Sequence, residues 1–206
     1  MKRRILLLVL FAALAAFAMM LSAAKGSVDI PLGEILTSLG GAHDTAHAQI
    51  LWNIRLPRTI VAALVGINLA LSGAILQAIL RNPLADPHII GISSGAGLAG
   101  IFIMLLMPGA AWLITPAAFG GAMVAALLIY ILAWRDGIRP TRIILAGVAV
   151  SAFLGAGISA MMILYSDRVH SALMWMVGGL SARSWPQVDM IFPYTIVGLV
   201  LALAFS

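Results

Sequence analysis

The sequence predicts an all-α integral membrane protein: a multi-spanning helical bundle of about five complete transmembrane helices plus the start of a sixth, within one domain over residues 1–206. Three observations carry this expectation. Hydrophobic residues make up 63% of the chain and charged residues only 9%, well short of the roughly one quarter typical of a soluble domain. Uncharged stretches run through residues 5–24, 59–80, 89–107, 110–134 and 143–165. Each approaches the roughly 20 helical residues that cross a hydrocarbon core. The basic residues sit at the ends of these stretches, and no basic run exceeds Lys2, Arg3 and Arg4. The net charge of +5 therefore reads as membrane topology and not as a nucleic-acid surface. The absence of cysteine excludes a disulfide framework and a thiolate metal site.

The first stretch, "MKRRILLLVLFAALAAFAMMLSAAKGS", has a basic start, an apolar core and a small-residue end, as a cleaved signal peptide does. Its apolar run from Ile5 to Leu21 is longer than such a core needs, and a retained first helix is the reading adopted. Next, "PLGEILTSL" reads as a short surface helix. The second stretch carries Ala62, Gly66, Ala70, Gly73 and Gln77 at three- and four-residue spacing, a small-residue face suited to close packing. Asn68 and Gln77 are either interhelical hydrogen-bond partners or the lining of an aqueous path, the first being the default.

"RNPLADPHIIGISSGAGLAG", residues 81–100, then interrupts the hydrocarbon. Proline disfavours helix at the residue before it, so Asn82 before Pro83 and Asp86 before Pro87 mark a turn. Asp86 is expected to cap a third helix beginning at Pro87. Gly91 and Gly95 form a GxxxG pair within it. Further on, "VHSALMWMVGGL" is apolar but too short to span. It reads as an interfacial helix or as a re-entrant element lining a water-filled mouth. A last apolar stretch begins near Ile191 and reaches Ser206 after 16 residues, too few to span comfortably.

Orientation follows from the basic residues. With the N-terminus inside, Lys2, Arg3, Arg4, Arg81, Arg135, Arg139 and Arg142 lie in short inner loops. Lys25, Arg55, Arg58, Arg168 and Arg183 lie in longer outer ones. The expected location is the cytoplasmic membrane, multi-pass, with a cytoplasmic N-terminus.

Several motifs fail on context. "GAGLAG" matches a dinucleotide fingerprint but lacks the preceding strand and the following acid. "GISSG" puts Ser93 at a nucleophile-elbow spacing, with His88 one turn away, but helix packing explains it better than hydrolysis. "HDTAH" sets His43 and His47 at a metal-compatible i, i+4 spacing, although two loop histidines are usually solvated. No cofactor and no metal is expected. The uncharged stretches disfavour an ion-coupled carrier, which normally keeps ionisable groups within the membrane. A GxxxxGK[ST] phosphate loop is missing, so uphill transport would draw its energy from another subunit.

The block "RLPRTIVAALVGINLALSGAILQAILRNPLADPHIIGISSGAG" resembles the signature region of FecCD-type ABC importer permeases. "ILAGVAVSA" at 144–152 and "WMVGGL" at 175–180 resemble further blocks of that family in the same order. The resemblance implies the first half of a ten-helix permease for ferric siderophores, haem or vitamin B12. It also implies a second permease copy, two cytoplasmic ATPases and a periplasmic or lipid-anchored binding protein. Covalent chemistry would lie outside the permease itself. Arg55 and Arg58 would dock the binding protein, Thr141 would stand at the cytoplasmic gate, and residues 142–165 and 169–180 would wall the path. Pro140 and Asn68 depart from the residues the family leads one to expect. The family's ATPase-coupling helix follows the sixth span, beyond Ser206, so a fragment or a truncated form is expected.

Overall fold

A computed structural model describes residues 2–41, 45–87, 90–135, 137 and 139–205, with only the backbone of Leu39. Among these residues the regular structure is entirely helical. The described chain gathers into two compact units, residues 1–68 with 180–206 and residues 69–179.

In the first unit, α1 (Lys2–Ala24) is apolar on every side and exposed except near Ala23, the condition of a helix solvated by lipid. The chain then turns back, with Ile30 N–H donating to Ala24 O at 3.0 Å. The expected surface helix is α2 (Leu32–Leu39), which buries Ile35 and carries Glu34 in its first turn, where an acid suits the helix dipole. Thr45 caps α3 (Ala46–Ile50) by accepting from Ala48 N–H at 3.1 Å. A π-helical turn (Leu51–Arg55) then joins α3 to α4 (Leu56–Leu80) as one 35-residue apolar rod. From the C-terminal part of the chain, α9 (Trp185–Ala204) packs Val188 against Val61 and Leu64. Asn68 Nδ2 donates to Thr195 Oγ1 at 2.7 Å and to Leu64 O at 2.9 Å, so Asn68 is an interhelical link.

The second unit is built around α5 (Ile92–Leu106), which contacts α6 (Ile114–Ala133), α7 (Pro140–Leu164) and α8 (Val169–Val177). Glycines set these distances. A Cβ added to Gly95 would lie 2.3 Å from Gly121 O, and one added to Gly121 would lie 2.3 Å from Gly95 O. At the far end, a Cβ on Gly100 would meet the Trp175 ring of α8 at 2.7 Å. Ile101, Leu105, Ile158 and Ala172 form the core on that side.

Among the described residues five helices are long and apolar enough to cross a membrane, the number expected, but the set differs. They are Lys2–Ala24, Ala46–Leu80, Pro108–Ala133, Pro140–Leu164 and Trp185–Ala204. The third predicted stretch yields only the 15-residue α5, about 22 Å long. Residues before Ile92 are spent on a turn, and Met107 leaves helical geometry ahead of the Pro108–Leu113 3₁₀ segment. The last stretch is longer than predicted. Gln187 Oε1 accepts from the Ser184 N–H at 2.9 Å, and this cap with Pro186 starts α9 six residues before Ile191, carrying Asp189 into the helix.

The packing expectation divides in the same way. Gly91 and Gly95 are close-packed, whereas a Cβ at Gly66 or Gly73 meets no described atom within 4 Å. Gly95→Leu is expected to destabilise the protein by about 1–3 kcal/mol or more, because it drives a side chain into a backbone. Gly66→Leu should stay within about 0.5 kcal/mol, as substitutions at open positions do. Melting of both full-length variants in detergent checks this, and equal losses would contradict the assignment.

Candidate functional site

Arg55 sits where the π-turn ends and α4 begins, and it is only 7% exposed. Its Nη1 donates to Ala23 O at 2.7 Å and to Ala24 O at 2.8 Å, and its Nη2 donates to Val28 O. These carbonyls belong to the last residues of α1 and the loop after it, which lack helical partners. A planar guanidinium with five donors can satisfy all three, and its charge suits the negative end of the helix. In this arrangement the hydrogen-bonding edge of Arg55 faces its own chain. Gly26 belongs to the same arrangement, since a Cβ there would lie 2.9 Å from Arg55 Nη2.

Arg58, one turn on, is exposed and makes no ion pair or hydrogen bond with the described residues. Nearby, the Trp52 and Trp185 rings stack with centroids 6.3 Å apart. The Trp185 indole donates to Trp52 O at 2.9 Å. His47 Nδ1 lies 2.5 Å from Glu34 Oε2, tying α3 to α2. The proposed partner of His47 in a metal pair, His43, lies outside the described residues.

In the second unit the turn over residues 81–85 is ordered by local hydrogen bonds. Arg81 adopts a left-handed φ of 48° and ends α4. Asn82 N–H donates to Gln77 O at 3.2 Å and Arg81 N–H to Ala78 O at 3.4 Å, the paired bonds of a Schellman terminus. Asn82 Oδ1 accepts from Leu84 N–H at 2.9 Å, and Ala85 N–H closes a turn onto Asn82 O at 3.1 Å. Pro83 occupies the second position of that turn, where its fixed φ is favourable. Ala85 is buried against Leu80 and Ile90.

Asp86 is exposed and does not cap a helix at Pro87, because α5 starts at Ile92 with Gly91 as its N-cap. The reason is a close approach that the sequence pattern does not express. Gly91 has φ of 80°, and a Cβ on it would fall 1.8 Å from Ser151 Oγ and 2.8 Å from Gly147 O. A Cβ on Gly147 would in turn lie 2.5 Å from Ile90 O. The backbone at Ile90 and Gly91 thus lies in a notch on α7, where Ser151 Oγ donates to Gly147 O at 2.7 Å. Sequence reasoning passed over Gly147 and Ser151; the signal was a glycine and a serine four apart within an uncharged stretch.

Thr141 is exposed in the first turn of α7, behind Pro140. α8 realises the short apolar segment, and Gly178 and Gly179 both take positive φ after it. Arg168 repeats the role of Arg55, donating from Nη1 to Leu105 O at 3.1 Å near the end of α5. Ser93 is exposed in the first turn of α5 with no strand before it among the described residues, so the nucleophile-elbow geometry is missing. His88 lies outside the described residues.

Arg55→Ala is expected to destabilise the protein by about 2–3 kcal/mol, since it removes a charged donor from three carbonyls, of which Ala24 O keeps the Ile30 N–H. Arg55→Lys should recover only part of this, because one ammonium cannot reproduce the fork. Thermal melting in detergent checks both, and a parent-like melt for Arg55→Ala would contradict the role.

Comparison with known proteins follows these features closely. The sequence profile of the FecCD transport family matches residues 13–206. The Fe(3+)-citrate import system permease protein of Bacillus subtilis is 36% identical over 197 residues, covering 95% of this chain and 59% of that protein. The cobalamin import system permease protein of Halobacterium salinarum is 39% identical over 167 residues, 81% of this chain and 45% of its own length. The Fe(3+) dicitrate transport system permease protein of Escherichia coli is 36% identical, covering 96% and 62%. The chain thus spans about half to three fifths of the length of these relatives. A solved structure described as an inward-facing transporter of the metal-chelate ABC type superposes with a TM-score of 0.83 at 24% identity. It covers 97% of this chain and 62% of that one, and establishes the shared fold.

Proposed function

The chain belongs to the FecCD transport family, and on that premise we propose that it acts within the permease subunit of an ATP-driven importer for a bulky metal chelate. The observation that carries this reading is the unbroken family match from residue 13 to residue 206. The relatives named for ferric citrate and cobalamin import support a chelate of iron or cobalt as cargo. Residues 1–206 are read as part of one permease domain in the cytoplasmic membrane, with the N-terminus inside.

In this reading the 81–91 turn and the start of α7 face the cytoplasm, while Arg58 faces out. The permease performs no covalent step and takes no cofactor. With no phosphate loop of its own, it relies on two cytoplasmic ATPases that bias a pair of permeases between outward- and inward-open states. The wall of the path falls to α7 and α8, whose exposed Leu145, Val148, Phe153, Leu173 and Met176 offer an apolar surface. Such a surface lets a large chelate pass without holding it. Thr141, at the cytoplasmic end of α7, serves as the gate position. Docking of the binding protein falls to Arg58, since Arg55 is engaged inside its own chain.

Reconstitution of the full-length protein with its ATPase and binding protein tests the proposal. ATP-dependent accumulation of labelled ferric citrate, ferric hydroxamate, haem or cobalamin is expected for at least one chelate. Accumulation of none, in an assembly that hydrolyses ATP, would overturn it. Separately, Arg58→Glu should slow association with the binding protein by about tenfold at low salt and flatten its dependence on ionic strength. The Arg55→Glu variant should fail earlier, in stability. Parent-like association rates for Arg58→Glu across several salt concentrations would refute the docking assignment.

A further inference from the structure

At the C-terminal end of α1 the chain forms a cleft lined by Phe17, Met20, Leu21, Ala24, Ile30 and Leu32, with Lys25 and Asp29 on its rim. The cleft exists because residues 25–31 fold back on the helix: Ile30 is buried at 3% exposure, and Arg55 holds the loop by bonding Ala24 O and Val28 O. Its walls are hydrocarbon and continue the apolar, exposed run of α1 from Ile5 to Leu21. Its rim carries one positive and one negative charge side by side, Lys25 Nζ donating to Asp29 Oδ2 at 2.7 Å. The apolar clefts among α1, α2 and α4 and between α5 and α6 have no charged lining residue among the described residues.

We propose that this cleft is a binding site for a zwitterionic phospholipid with a primary amine, such as phosphatidylethanolamine. One acyl chain lies along Phe17, Met20 and Leu21, the phosphate meets the Lys25 ammonium, and the lipid ammonium meets the Asp29 carboxylate. The rim lies just past the end of a 23-residue apolar helix, the depth at which headgroups sit. The lysine and aspartate side chains are 69% and 65% exposed, and an exposed ion pair is worth little. Opening it to admit a phosphate and an ammonium therefore costs little, while two opposite charges on the rim are matched by two on the ligand. In the closed pair the hydrogen bond from Lys25, then its charge, hold the Asp29 carboxyl below its ordinary value, and once the pair opens the lipid ammonium takes over that role. An anionic headgroup without an amine would satisfy Lys25 but place its negative charge beside Asp29. That mismatch makes the site selective, unlike the annular lipid around the rest of α1.

The test is native mass spectrometry of the full-length protein in mild detergent, with equimolar phosphatidylethanolamine and phosphatidylglycerol of identical acyl chains. The parent should retain the amine lipid about five- to tenfold better, a difference on the order of 1 kcal/mol. The double variant Lys25→Gln with Asp29→Asn should bring that ratio close to one. Leu21→Trp, which narrows the cleft from an exposed position, should reduce retention of both lipids without changing the melting temperature. Equal retention of the two lipids by the parent, or a preference that survives the double neutralisation, would mean annular lipid only and would overturn the site.

Discussion

Gly95 and Gly121 approach so closely that neither position has room for a Cβ, and the arrangement of residues 69–179 depends on that contact. Lipid tails are as apolar as leucine, so burying leucine gives two membrane helices little reason to associate. What remains is van der Waals contact between surfaces that fit, and glycine lets backbones supply those surfaces. The same device recurs along α5, at Gly91 against Gly147 and Ser151 and at Gly100 against Trp175. A helix of 15 residues, too short to be anchored by its own hydrophobic length, is held in place by neighbours on three sides.

A second constraint governs the helix ends. The last carbonyls of a helix need donors, and near a bilayer water is not always at hand. This chain answers with arginine. Arg55 bonds the end of α1, Arg168 bonds Leu105 of α5, and Arg142 bonds Arg135 O after α6. The positive-inside bias leaves Arg55 and Arg168 unexplained as topology signals, and their hydrogen bonds explain them as structural donors. In the "RLPR" segment two arginines of similar appearance therefore have different surroundings. Arg55 closes a loop against α1, and Arg58, one helical turn away, is left to face outward.

Polar residues inside the apolar rods follow the same logic. Asn68 and Thr195 are each buried or half-buried, and each satisfies the other while also bonding a backbone carbonyl of its own helix. Ser22 and Thr59 pair at 2.7 Å between α1 and α4. None of these groups is ionisable.

The sequence by itself determined the class of the molecule, the positions of most helices and the family. Those properties depend on local composition, because about 20 uncharged residues form a helix in lipid whatever surrounds them. The short helix over "PLGEILTSL", the turn at Asn82 and Pro83, and the break after Leu80 were legible for the same reason. Tertiary structure decided the rest. It moved the start of α5 from Pro87 to Ile92, because a notch on α7 at Gly147 and Ser151 receives the backbone at Ile90 and Gly91, a contact between residues some 60 apart in sequence. It turned Arg55 inward, because a loop 27 to 32 residues earlier brings three carbonyls to it. It also separated glycines that look alike in the sequence, leaving Gly66 and Gly73 open while Gly91 and Gly95 are filled by neighbours. In each case the deciding partner is distant along the chain, and no local pattern can encode a partner's position.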